Sequence, residues 1–104
     1  MIHHIVMLDL QKEHDCNERA AIMLGLDALR VNLAGFESFA HGPNRDFEKL
    51  SPGCTYVFIC GFSDETALRH YLSDPAHQAL SLRLIALCEG GLAGLRVVDM
   101  QVAQ

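Results

Sequence analysis

The segment Thr55–Phe62, TYVFICGF, narrows the possible folds of this chain more than any other. It carries no charge and is rich in aromatic and β-branched residues, which is the signature of a strand. Successive side chains of a strand point to opposite faces, so Tyr56, Phe58, Cys60 and Phe62 share one face and Val57 and Ile59 the other. Both faces are apolar. A strand of this kind in an antiparallel sheet needs cover on each side, and one layer of helices supplies only one cover.

The rest of the chain supplies the partners. In Ile2–Leu10 the even positions Ile2, His4, Val6, Leu8 and Leu10 are apolar apart from one histidine, while His3, Ile5, Met7 and Asp9 are mixed. Period two again predicts a strand, with His4 on its core face. Asp15, with Glu18 three residues later, forms a capping box for a helix. Its inner stripe is Ile22, Leu26, Leu29 and Leu33, widened by Met23, and Gly35 is its stop. Phe36–Gly42 is a shorter, more polar strand suited to a sheet edge, followed by a loop over Pro43–Gly53 long enough to form a flap or rim. Ser63 caps a second helix that opens with Asp64 and Glu65 and has Ala67, Leu68, Tyr71 and Leu72 inside. Ser73-Asp74-Pro75 breaks that helix: Asp74 caps and Pro75 begins a further segment, with Leu80, Leu84 and Leu87 inside and Gly90-Gly91 at its end. Leu95–Val102 is the last strand.

The order is β-α-β-β-α-β, with the second helix in two pieces. It predicts an α+β, ferredoxin-like fold: four antiparallel strands with the helices on one face. Residues 1–104 fit one domain. The uncovered sheet face, including Ile5 and Met7, then forms an apolar patch that a second copy would bury, so a homodimer through that face is expected. Half the chain is hydrophobic, which fits such a surplus.

Composition excludes several roles. Eight basic residues are scattered among thirteen acidic ones, for a net charge of −5, which argues against a nucleic-acid partner. The apolar stretches are too short for a membrane span. Met1-Ile2-His3-His4 lacks the cationic start of an export signal. Cys16, Cys54, Cys60 and Cys88 show neither C-x-x-C nor paired-ligand spacing, so they are expected to be reduced thiols of a cytoplasmic protein. No M-x-C-x-x-C, RNA-stacking aromatic signature, Gly-rich phosphate loop or G-x-S-x-G elbow is present, and no cofactor is expected. The only metal-like spacing, His70 with Asp74, lacks a supporting ligand, so no metal is expected either.

Candidate chemistry centres on His77. It lies just after the Asp74 cap, in the positive field of a helix start, which disfavours the imidazolium, while Asp74 favours it. Tyr71, at the end of the preceding helix piece, can present its hydroxyl across the break. His4 on the core face of the first strand costs about 1–3 kcal/mol unless its polar atoms are bonded. Tyr56 is placed to reach the same cavity. The plainer readings are a satisfied core histidine at His4, a helix-end polar residue at His77, and core aromatics at Tyr71 and Tyr56. His3, His14, His41 and His70 read as surface positions.

Six segments occur in one collinear order: Ile2-His3-His4-Ile5-Val6, Gly42-Pro43-Asn44, Phe62-Ser63-Asp64 with Ala67-Leu68, Tyr71-Leu72, Pro75-Ala76-His77 and Val97-Val98-Asp99. Together they resemble the stress-responsive α/β-barrel (Dabb) domain family over nearly the whole chain. The resemblance implies a dimer of ferredoxin-like subunits whose sheets join as an α/β barrel. It implies a loose association with stress responses, since most members have no defined activity. One plant member closes a polyketide ring by aldol chemistry with a histidine–tyrosine pair in a small pocket. Its histidine matches His77, its tyrosine matches Tyr71, and a pocket histidine on its first strand matches His4. A further pocket histidine falls near Tyr56, and many members have histidine where this chain has Asp74.

Three functions follow as expectations. The first is a homodimer binding a small apolar or polyketide-like molecule between sheet and helices. The second is a cofactor-free cyclase, isomerase or lyase with His77 as general base and Tyr71 holding an oxyanion. The third is a purely structural, stress-related dimer.

Overall fold

The computed structural model describes residues 1–104. Strands β1 (Ile2–Leu8), β2 (Phe36–Pro43), β3 (Tyr56–Phe62) and β4 (Leu95–Gln101) form one sheet in the order β2-β3-β1-β4. All three pairings are antiparallel. Helices α1 (Cys16–Ala28), α2 (Glu65–Ser73) and α3 (Pro75–Ile85) cover one face of it. This is the expected ferredoxin-like arrangement, with β2 at an edge and β3 inside. None of the helices is long and apolar enough to cross a membrane.

Parity decides which side chains are inside. β1 is buried at every even position from Ile2 to Leu8, and the facing positions of β3 (Tyr56, Phe58, Cys60 and Phe62) are buried with it. Ile22, Met23 and Leu26 of α1, Leu68 and Tyr71 of α2, and Leu80 and Leu84 of α3 close this core from above. Gly25 lets α1 and α3 approach, since a Cβ there would lie 2.9 Å from Leu80 Cδ2. Arg83 on α3 ties the same two helices with two hydrogen bonds to the Glu18 carboxylate, at 3.0 and 2.7 Å.

The opposite face carries rows of apolar side chains. Ile59, Ile5 and Val98 are directly aligned across β3, β1 and β4, as are Gly61, His3 and Met100 in the next row. Ile59, Val98 and Met100 are exposed, and Ile5, Met7 and Val57 are half-buried.

Local details depart from the sequence pattern at element ends. β1 stops at Leu8, and Leu10 joins Cys88 through an isolated bridge. Asp15 caps α1 by accepting from the Asn17 and Glu18 N–H groups. The capping box is only half formed, because Glu18 reaches Arg83 instead of turning back. α1 ends at Ala28 and tightens into a 3-10 turn over Leu29–Val31, so Gly35 shapes the turn into β2 and does not cap the helix. Its φ of +83° and a Cβ position 2.6 Å from Ala67 Cβ both require glycine. Asp64, not Ser63, caps α2, accepting from the Ala67 N–H. Leu72, expected inside, is 41% exposed. α3 ends at Ile85, ahead of the glycine pair.

Candidate functional site

A cavity of about 160 Å³ lies between the sheet and α3. Eight of its eleven lining residues are hydrophobic, among them Val6, Phe58, Leu84 and Leu95; the polar groups are His4, His77 and Ser81. The cavity exists because β4 is an edge strand that the helices do not fully cover. Val97 forms its floor on β4, and Leu92, in the 3-10 turn Gly91–Gly94, stands at its rim.

His4 reaches it from β1. The residue is buried, and its Nδ1 donates to Asp99 Oδ1 at 2.6 Å. Its Nε2 makes no hydrogen bond within the chain. The buried polar ring expected on β1 is thus satisfied by a carboxylate on the neighbouring strand. His77 reaches the cavity from the first turn of α3, whose start is fixed by Asp74 accepting from the His77 N–H at 3.0 Å. Burial holds the His77 imidazole below the usual histidine range; positive charge at His4 adds to this, and the Leu72 carbonyl and Asp74 oppose it. The field of the helix start is therefore not needed to explain a neutral ring; loss of water around it dominates. His77 Nε2 and Ser81 Oγ lie 3.1 Å apart across one helical turn.

Tyr71 stands one layer behind. It is fully buried, outside the cavity lining, and its ring packs on that of His77 with centroids 3.9 Å apart. His4 and Phe36 meet it edge-on at 5.8 and 5.2 Å. Its hydroxyl meets only the Cys60 thiol, at 3.9 Å, and burial pushes its pKa well above the usual tyrosine value. Tyr56 does not join this group. It pairs with Leu8 and Pro43 at the far end of β3, beneath α1, where the Arg19 guanidinium lies 4.7 Å from its ring centre. There its hydroxyl shares a 2.7 Å hydrogen bond with His41 Nδ1.

Two residues have partners that no motif assigns. Asp99 stands in the Val97-Val98-Asp99 segment, but its place opposite His4 is found only by aligning β1 with β4. Ser81 is legible at one helical turn from His77, but serine at such spacing is common. Buried Cys60 is also close to Tyr71, yet burial raises its thiol to about 12, which makes it inert.

The fold and the site define a ferredoxin-like α+β domain with a small, mostly apolar cavity between sheet and helices. Residues 2–102 match the sequence model of the Stress Responsive A/B Barrel Domain (Dabb), and the chain belongs to that family. It is 40% identical to a dimeric ferredoxin-like protein of unknown function from Jannaschia sp. CCS1, over 97% of this chain and 98% of that one, with a TM-score of 0.91. Two enzymes share the fold at low identity. The hydroxynitrile lyase from Passiflora edulis has a TM-score of 0.82 at 12% identity, over 99% and 94% of the two chains. The cofactor-independent oxygenase SnoaB from Streptomyces nogalater has 0.69 at 17%, over 99% and 91%. No curated protein matches the sequence significantly.

Proposed function

We propose that the chain works as a homodimer joined through its open sheet face, and that each subunit binds a small, largely apolar or polyketide-like molecule in the cavity beside α3. The observation that carries this reading is an apolar cavity with two imidazoles, His4 and His77, in unlike surroundings. Apolar walls supply affinity and a few polar groups fix orientation. At about 160 Å³ the space suits a single ring or a short chain better than a fused polycycle. The dimeric relative from Jannaschia and the exposed rows of Ile59, Val98 and Met100 support the dimer. Four free thiols, three buried and Cys16 exposed, fit a reducing, cytoplasmic setting.

Cofactor-free proton transfer is favoured over passive binding by the difference between the two rings. Burial holds His77 neutral so that it can accept a proton, whereas His4 is fixed by its Nδ1 hydrogen bond to the Asp99 carboxylate. A neutral imidazole on a cavity wall, beside a second imidazole anchored by a carboxylate, is placed to take a proton from a bound molecule. Tyr71 serves by holding the His77 ring in place. Relatives of this fold that run a lyase or an oxygenase reaction support the same reading.

Native mass spectrometry of gently purified protein reports stoichiometry and retained ligand together. The expected result is a dimer, with a small molecule retained or with saturable binding of acetophenone as a probe. A monomer would overturn the assembly. A dimer that neither retains nor binds a small molecule would leave the structural role.

A further inference from the structure

His77 and Ser81 both face the cavity, and their bond has a direction. A neutral imidazole carries one N–H. His77 Nδ1 is buried without a hydrogen-bond partner. In the tautomer that carries the proton on Nδ1, Nε2 accepts and the Ser81 hydroxyl donates across 3.1 Å.

A hydroxyl within hydrogen-bond reach of a neutral imidazole, whose ring a third group (here the packed Tyr71 ring, 3.9 Å away) holds in place, is the arrangement that activates a serine nucleophile. We infer that Ser81 and His77 form a serine–histidine pair that gives this cavity a second chemistry, acyl transfer from small activated esters onto Ser81. The inference rests on reading the cavity as a binding site but not on the dimer or on the natural ligand. Ser81 Oγ bonds to the acyl carbon as the bond from that carbon to the leaving oxygen breaks. The hydroxyl proton passes to His77 Nε2 and on to the leaving oxygen. Water then attacks the acyl–serine with the same proton route, releasing the acid and restoring Ser81. No electrons change hands. His4 is the one other polar residue lining the cavity, and the remaining eight are hydrophobic.

The test treats the wild-type chain with p-nitrophenyl acetate, following phenol release and locating acetyl groups by intact mass and peptide mapping. One acetyl on Ser81 is expected. Ser81→Ala should lose it, and His77→Gln should slow it by about 10²-fold or more, the usual contribution of a general base. Circular dichroism shows that each variant is folded, and the alanine exchange suits a helix. Acetyl groups confined to Lys12, Lys49 or the terminal amine, at rates equal in wild type and both variants, would overturn the pair. Acetophenone binding by the wild-type chain is measured in parallel. Ketone binding with Ser81 unmodified defeats this inference alone, and absence of both defeats the reading of the cavity as well.

Discussion

His4 Nδ1 and Asp99 Oδ1 lie 2.6 Å apart, from positions directly opposite each other on β1 and β4. Cross-strand partners project to the same face of a sheet, so this alignment sets a buried ring beside a half-exposed carboxylate. Asp99 also borders an open groove of about 460 Å³ with Ile2, Leu68, Arg69 and Leu72. The pair therefore has one member, Asp99, on a solvent-open groove and the other, His4, on the cavity.

Removing the carboxylate tests that coupling. Asp99→Ala leaves the His4 N–H buried without an acceptor, which costs about 1–3 kcal/mol. Asp99→Asn keeps an acceptor oxygen and should cost less. Urea unfolding of both variants measures the difference; equal stabilities would show that the bond contributes little.

The lowered pKa of His77 gives stability a pH dependence of known sign. Below the ordinary value of 6.5, the unfolded chain takes up this proton before the folded chain does. The stabilisation is complete above 6.5, and it is lost as pH falls through the folded value. Denaturant midpoints should therefore decline on acidification from neutral pH, and His77→Gln should flatten that part of the profile. A slope unchanged by His77→Gln would assign it to other groups.

Most of the fold is legible in the sequence because burial obeys strict periods. Alternation in β1 and β3 and the Asp74-Pro75 break each mark an element whose role no other part of the chain overrides. Element ends are less legible. Glu18 has two partners within reach, a local N–H and a distant Arg83, and only the packing of α1 on α3 decides between them. The site is half legible. His4 stands out as a polar residue on a core-facing strand position and His77 as the residue just inside the Asp74-capped helix start, and they meet at one cavity. Tyr56 shares the core parity of β3 yet lies too far along the strand, under Arg19. Asp99 depends on the alignment of the first and last strands, which no local pattern encodes.

Tyr71 should act through its ring. Its hydroxyl touches only a thiol at 3.9 Å, beyond the range of a strong hydrogen bond. Tyr71→Phe is expected to change stability by no more than about 1 kcal/mol, whereas Tyr71→Ala should cost about 3–5 kcal/mol by opening a cavity against His77, Phe36 and Phe62. Ligand binding that survives Tyr71→Phe but not Tyr71→Ala would identify a positioning role. If Tyr71→Phe abolishes turnover on a substrate while binding persists, the hydroxyl takes part in the chemistry after all.

The open sheet face gives the last expectation. Ile59 stands in its central row beside Ile5 and Val98 and away from the cavity, because odd positions of β1 and β3 face opposite to the core. A lysine there leaves the helix-side core untouched but places a charge where two apolar sheets would meet, and desolvating an unpaired charge costs several kcal/mol. Light scattering of Ile59→Lys should return the 11.5 kDa chain mass where wild type gives twice that. Far-ultraviolet circular dichroism should remain unchanged. A variant that stays dimeric at micromolar concentration would move the interface to another surface, such as the loop that exposes Phe47 and Leu50.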